Sequence, residues 1–126
     1  MNSDEMVEDL FCDFEFNFYK SLYKKLPNDK RLICILAEMY TRYGAIDKGL
    51  ELDKKLVKID SANPLAYYNL ACSLSLKKQF KQSIDALRQS IKLGYGDFNW
   101  MLEDEDLNAL RETEYFLELK NDLGIL

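Results

Sequence analysis

The chain contains no histidine. That removes the commonest general base and the commonest metal ligand together. It has three cysteines, Cys12, Cys34 and Cys72, widely spaced and with no Cys-x-x-Cys pair. A disulfide framework and a zinc ribbon are thereby excluded, and a reducing compartment is the default. Basic residues are the minority, 17 against 22 acidic, for a net charge of −5. Nucleic acid and anionic membrane both need a basic field, so neither is expected as a partner. No apolar run approaches the ~20 residues of a membrane span. Residues 1–9 are acidic where a secretory signal would be basic. The expectation is a soluble, cytoplasmic protein. Gly-rich phosphate loops and nucleophile motifs are missing too, so no catalysis, no metal and no cofactor are expected.

What the chain does have is apolar and aromatic. Hydrophobic residues make up 48% and aromatics 13% of its 126 positions. That content and length suit one domain over residues 1–126 with a core of its own. The five glycines and two prolines are few, and most sit where a helix would stop. Pro27, Gly44, Pro64 and the Gly94-Tyr95-Gly96 triplet divide the sequence. Proline cannot continue a helix, and glycine takes the left-handed cap conformation cheaply. Between these breaks apolar residues recur at three and four: Phe14, Phe18, Leu22 and Leu26, then Leu32, Ile33, Leu36, Ala37 and Tyr40. Further stripes run through Leu50 to Ile59, Tyr67 to Leu74 and Phe80 to Ile91. The chain reads as all-α, with helices of about 12–15 residues. Ser3, Asp97, Asp106 and Thr113 are expected as helix caps, with Gly124 as the final stop.

The stripes repeat. Leu36-Ala37 recurs 34 residues later as Leu70-Ala71, Tyr40 as Leu74, Ile46 as Phe80, Gly49 as Ser83 and Ile59 as Leu93. Two antiparallel helices that approach closely need a small residue on each side. Ala37 opposite Gly49, and Ala71 opposite Ser83, meet that need. In this period the sequence resembles the tetratricopeptide repeat family, a 34-residue helix–turn–helix unit. The best match runs from Asn63-Pro64 through Tyr67, Leu70 and Ala71 to Phe80 and Ser83. Asp53, Leu56 and Ser90 depart from the family pattern. The resemblance implies antiparallel helical hairpins stacked as a short right-handed superhelix. Residues 1–29 would be a degenerate leading half-unit, 30–63 and 64–94 full units, and 95–126 capping helices. The stretch from Leu93 through Trp100, Asp104 and Leu110 to Phe116 resembles the closing segment of bacterial arrays of this type. Trp100 is expected to plug the end of the core.

The resemblance also implies a function. In the family the first helix of each unit lines a concave groove for peptides or helices of other proteins. Carried over by position, the groove residues are Arg31, Cys34, Glu38, Thr41 and Arg42 in one unit, and Leu65, Tyr68, Cys72, Ser75 and Leu76 in the next. Leu65, Tyr68, Cys72 and Leu76 form an apolar stripe that needs a cover. Three covers fit: the chain's own N- or C-terminal helix, a second copy in a homo-oligomer, or a partner's segment. Some family members clamp an acidic C-terminal tail. Asn69 holds one clamp position here, but Cys34 and Glu38 hold two others and Glu38 repels a carboxylate. The expected role is therefore an adaptor or scaffold with a protein or peptide partner. The alternative is a dedicated assembly or secretion-type chaperone masking one client segment. The run Glu103-Asp104-Glu105-Asp106 is expected to be a solvated capping loop, and Lys77, Lys78 and Lys81 a solvated face.

Overall fold

The computed structural model describes residues 14–125, and every regular element among them is helical. Ser3 and Cys12 lie outside these residues. The chain divides into two compact units, one up to Ser61 and one from Ala62.

The first unit holds α1 (Phe14–Lys25), α2 (Lys30–Arg42) and α3 (Ile46–Ile59). Asp29 caps α2, its carboxylate accepting the Leu32 N–H at 2.9 Å. Leu32, Ile33, Leu36, Ala37, Met39 and Tyr40 on α2 are buried, as are Leu50, Leu52 and Leu56 on α3. At about 1.5–3 kcal/mol per large apolar side chain removed from water, this seam holds the hairpin together. Gly49 lies in the seam. A Cβ there would collide with the Thr41 hydroxyl and stand 3.0 Å from the Ala37 carbonyl oxygen. Phe16 brings α1 into the same core, its ring edge-on to Tyr40 at 5.4 Å. Lys55 of α3 donates to the Tyr23 hydroxyl of α1 at 3.0 Å.

The second unit repeats the hairpin as α4 (Pro64–Leu76) and α5 (Phe80–Lys92). Asn63 caps α4 and Pro64 opens it, where a missing N–H costs nothing. Ser83 faces α4 and donates its hydroxyl to the Ala71 carbonyl at 2.7 Å. Ser90, a departure from the family pattern, does the same toward the Pro64 carbonyl at 2.7 Å. Both hairpins turn the same way. Gly44 N–H reaches Thr41 O and Ala45 N–H reaches Tyr40 O; 34 residues on, Lys78 and Gln79 reach Ser75 and Leu74. This pair of hydrogen bonds closes the helix end and needs a left-handed residue. Gly44 supplies φ +91°, and Lys78 adopts φ +60° in the equivalent place.

The rest of the second unit is a cap of short helices. Asp97 caps α6 (Phe98–Met101), and Asp104 caps a 3₁₀ turn (Glu105–Leu107) that leads into α7 (Asn108–Arg111). Thr113 caps α8 (Glu114–Leu123), and Gly124 at φ +69° ends it, both as expected. Two expectations need correction. The capping carboxylate of the middle turn belongs to Asp104, not Asp106, because Asp104 accepts the Asp106 N–H at 3.0 Å. Trp100 does not plug the core and is 51% exposed. The Asp97 cap sets the phase of the single turn so that Met101 points inward. Met101, Leu107, Leu110, Phe116 and Leu119 fill the end of the unit.

Candidate functional site

Each first helix presents its expected residues in a different condition. On α2 the buried row already described faces α1 and α3. The opposite row stays accessible: Arg31, Glu38 and Arg42 are exposed and Cys34 is half-buried. Glu38 and Arg42 form an i,i+4 pair at 3.8 Å, both side chains in solvent. Such a pair holds little energy, so both groups are free to re-pair with a ligand. Burial raises the Cys34 thiol pKa, and the nearby Asp53 and Glu38 carboxylates raise it further. A protonated thiol is a poor nucleophile and a weak donor, which suits a contact surface rather than redox chemistry. Thr41 is half-buried, and its hydroxyl is directed at Gly49 in the hairpin seam. It supplies an edge to this face rather than a polar contact.

On α4 the stripe is largely covered by the unit's own cap. Leu65 is 58% exposed and Leu76 half-buried, but Tyr68, Cys72 and Ser75 are buried. The Tyr68 ring stacks on Tyr95 at 4.4 Å between centroids, 18° from parallel. Its hydroxyl donates to Asp104 Oδ2 at 2.7 Å. The Cys72 thiol lies 3.7 Å from the same oxygen. The Ser75 hydroxyl is enclosed with no hydrogen-bond partner. Of the possible covers, the chain's own C-terminal part occupies this stripe, as a capped turn rather than a docked helix. The acidic run is correspondingly more than a solvated loop, because Asp104 is buried within it.

The electrostatics of this cluster follow from burial. Desolvation pushes the Tyr68 phenol far above its ordinary range, helped by Cys72 and Asp104. The Cys72 thiol is pushed well up by burial, then by Asp104 and Asp106. Burial also raises Asp106, with Asp104 and Glu105 adding to it. Ligand atoms of Cys72, Asp104 and Asp106 lie within 4.8 Å of one another. The donor set does not suit a cation. Both Asp104 oxygens already accept hydrogen bonds, and the thiol is held protonated when a metal would need the thiolate. The arrangement works as a latch between α4 and the cap.

Among the described residues, no helix is long and apolar enough to cross a membrane. The exposed cations Lys77, Lys78 and Lys81 stand at the α4–α5 turn, where Lys81 pairs with Asp85 at 2.8 Å.

No protein-family model matches the chain. Over 52 residues it is 38% identical to a chloroplastic protein of Arabidopsis thaliana. That stretch is 41% of this chain and 16% of the relative's length. The crystal structure of MamA, a protein with tetratricopeptide repeats, superimposes with a TM-score of 0.67 at 25% identity. The match covers 96% of this chain and 72% of that one. The fold is all-α and tetratricopeptide-repeat-like, of the kind used for protein interaction.

Proposed function

We propose that this chain is a protein–protein interaction module, an adaptor or scaffold, and that it receives a partner's helix or peptide on the accessible row of α2. The observation that carries the reading is the division of α2. One row is packed into the hairpin, while on the other Arg31, Glu38 and Arg42 are exposed and Cys34 is half-buried. Those positions recur every three or four residues, so they lie along one side of about three helical turns. The mixed charges favour a partner segment of mixed sign around a small apolar centre at Cys34. In the second unit only Leu65 and Leu76 stay accessible, since Tyr68 and Cys72 meet Asp104 of the cap and Ser75 is buried.

A photo-cross-linking side chain placed at Glu38, and separately at Lys81 on α5, tests this in cells that make the protein. The expected result is a discrete protein adduct from position 38 and none from position 81. Adducts from position 81 alone would overturn the assignment. So would undiminished capture by a folded Arg31→Glu, Arg42→Glu variant.

A further inference from the structure

α1 carries a second apolar row that its own hairpin does not use. Phe16 is fully buried, but Phe14 is 85% exposed, Phe18 49% and Leu26 47%. Leu22, half-buried, completes the row. Leu26 follows the last residue of α1 and keeps its helical bond to the Leu22 carbonyl, at 2.9 Å. The row is therefore one continuous ridge of residues four apart, about 18 Å long. Its aromatic end is already assembled, with the Phe14 and Phe18 rings stacked at 6.1 Å. Its aliphatic end borders a cleft of about 190 Å³ shared with Tyr19, Leu32 and Ile35.

Two properties of this ridge fit a second copy of the chain as its occupant. The first is symmetry. Positions 14 and 26, and positions 18 and 22, stand at equal distances on either side of position 20. An antiparallel second copy in that register sets each aromatic residue level with an aliphatic one, Phe14 with Leu26 and Phe18 with Leu22. Lys20, at the centre, lies on the far side of the helix over the Phe16 ring, at 5.2 Å, and out of the way. The second property is charge. Glu15 stands in the first turn of α1. Lys24 and Lys25 stand in the last turn. An antiparallel pair sets the acidic end of each copy beside the basic end of the other. A parallel pair would stack like charges.

We infer that α1 is a self-association surface and that two copies of this chain pair antiparallel through Phe14, Phe18, Leu22 and Leu26 about a two-fold axis. The interface is isologous, because the same patch serves both copies. A single helix-on-helix contact falls at the low end of interface sizes, so the dimer is weak. This goes beyond the partner-binding reading and does not depend on it; Arg31 alone of the partner-site residues lines the cleft beside Leu22 and Leu26.

Sedimentation equilibrium of the full chain from about 1 to about 300 µM tests it. The wild type is expected to shift from monomer to dimer across that range. A Phe18→Glu, Leu22→Glu variant is expected to stay monomeric with unchanged helix content, and the milder Phe14→Ser, Phe18→Ser variant to weaken the dimer at least tenfold. Lys24→Glu, Lys25→Glu is expected to weaken it several-fold at low salt, with the difference shrinking at high salt. A wild type that stays monomeric throughout, or dimers that persist unchanged in the Glu variant, would overturn the proposal. Insensitivity to the lysine reversal would overturn the antiparallel arrangement.

Discussion

Ser83 donates its hydroxyl hydrogen to the Ala71 carbonyl at 2.7 Å, and 34 residues earlier Gly49 fills the equivalent place against Ala37. The two hairpins solve one packing problem in two ways. In the second, the Ser83 side chain fits and is held by the Ala71 carbonyl. In the first, position 41 is threonine, whose hydroxyl occupies the space a Cβ at position 49 would need. Thr41 and Gly49 are a matched pair.

A double-mutant cycle checks this matching. Gly49→Ser alone is expected to cost about 1–3 kcal/mol by overpacking the seam. Thr41→Ala in the same chain, which removes the hydroxyl, is expected to recover about 1 kcal/mol of that as coupling. Urea denaturation measures both. Strict additivity would show that the two positions do not compete for space.

The latch gives a second expectation. Tyr68→Phe keeps the ring against Tyr95 and removes the donor to Asp104. A buried carboxylate that loses its hydroxyl partner costs about 1.5–3 kcal/mol. Chemical denaturation is expected to show that loss with an unchanged m-value. A change below about 0.5 kcal/mol would mean that water or another donor satisfies Asp104 equally well.

Stability is also expected to fall in alkali. The Cys72 thiol and Tyr68 phenol are both raised in the folded protein, mainly by burial. As pH rises, the unfolded chain loses these protons first. The stabilisation is therefore complete below the ordinary thiol value and declines from about pH 9 upward, at up to about 1.4 kcal/mol per pH unit for each group. Denaturation midpoints between pH 7.5 and 10.5 are expected to drop for the wild type. The drop is expected to be smaller for Cys72→Ala and for Tyr68→Phe, each compared with its own midpoint at pH 7.5. Equal slopes in all three would remove the latch from the explanation.

Position 100 against position 101 provides the sharpest contrast in the cap. Trp100→Ala is expected to change stability by no more than about 0.5 kcal/mol, because half of the side chain is already in solvent. Met101→Ala, at a fully buried site, is expected to cost about 2–5 kcal/mol. The single tryptophan is also expected to be open to acrylamide quenching in the folded state. A strongly shielded indole would contradict this placement.

The hairpins are legible in the sequence because their determinants are local and recur: Ala37, Gly49, Ala71 and Ser83 at a fixed period, with Gly44 and Pro64 at the breaks. The caps at Asp97 and Thr113 are legible for the same reason. The latch is not. Tyr68 and Asp104 are 36 residues apart, and nothing beside Asp104 distinguishes it from the acids around it. An acidic run in a loop reads as solvated until some element is known to fold over it. Trp100 misleads through size. In a helix of one turn, inward direction is set by the cap, and a shift of one residue exchanges Trp100 for Met101. Of the expected groove, the α2 residues remain accessible except for the Thr41 hydroxyl. On α4 only Leu65 and Leu76 do, because the cover comes from far along the chain.

That distance has a consequence while the protein is being made. Ribosomes add about 5–20 residues per second, so Asp104 is synthesised about 2–7 s after Tyr68. Throughout that interval nascent α4 lacks the carboxylate that the Tyr68 hydroxyl and the Cys72 thiol meet in the finished unit. The face that the finished unit hides is then the one it offers to ribosome-associated holding factors and to neighbouring nascent chains.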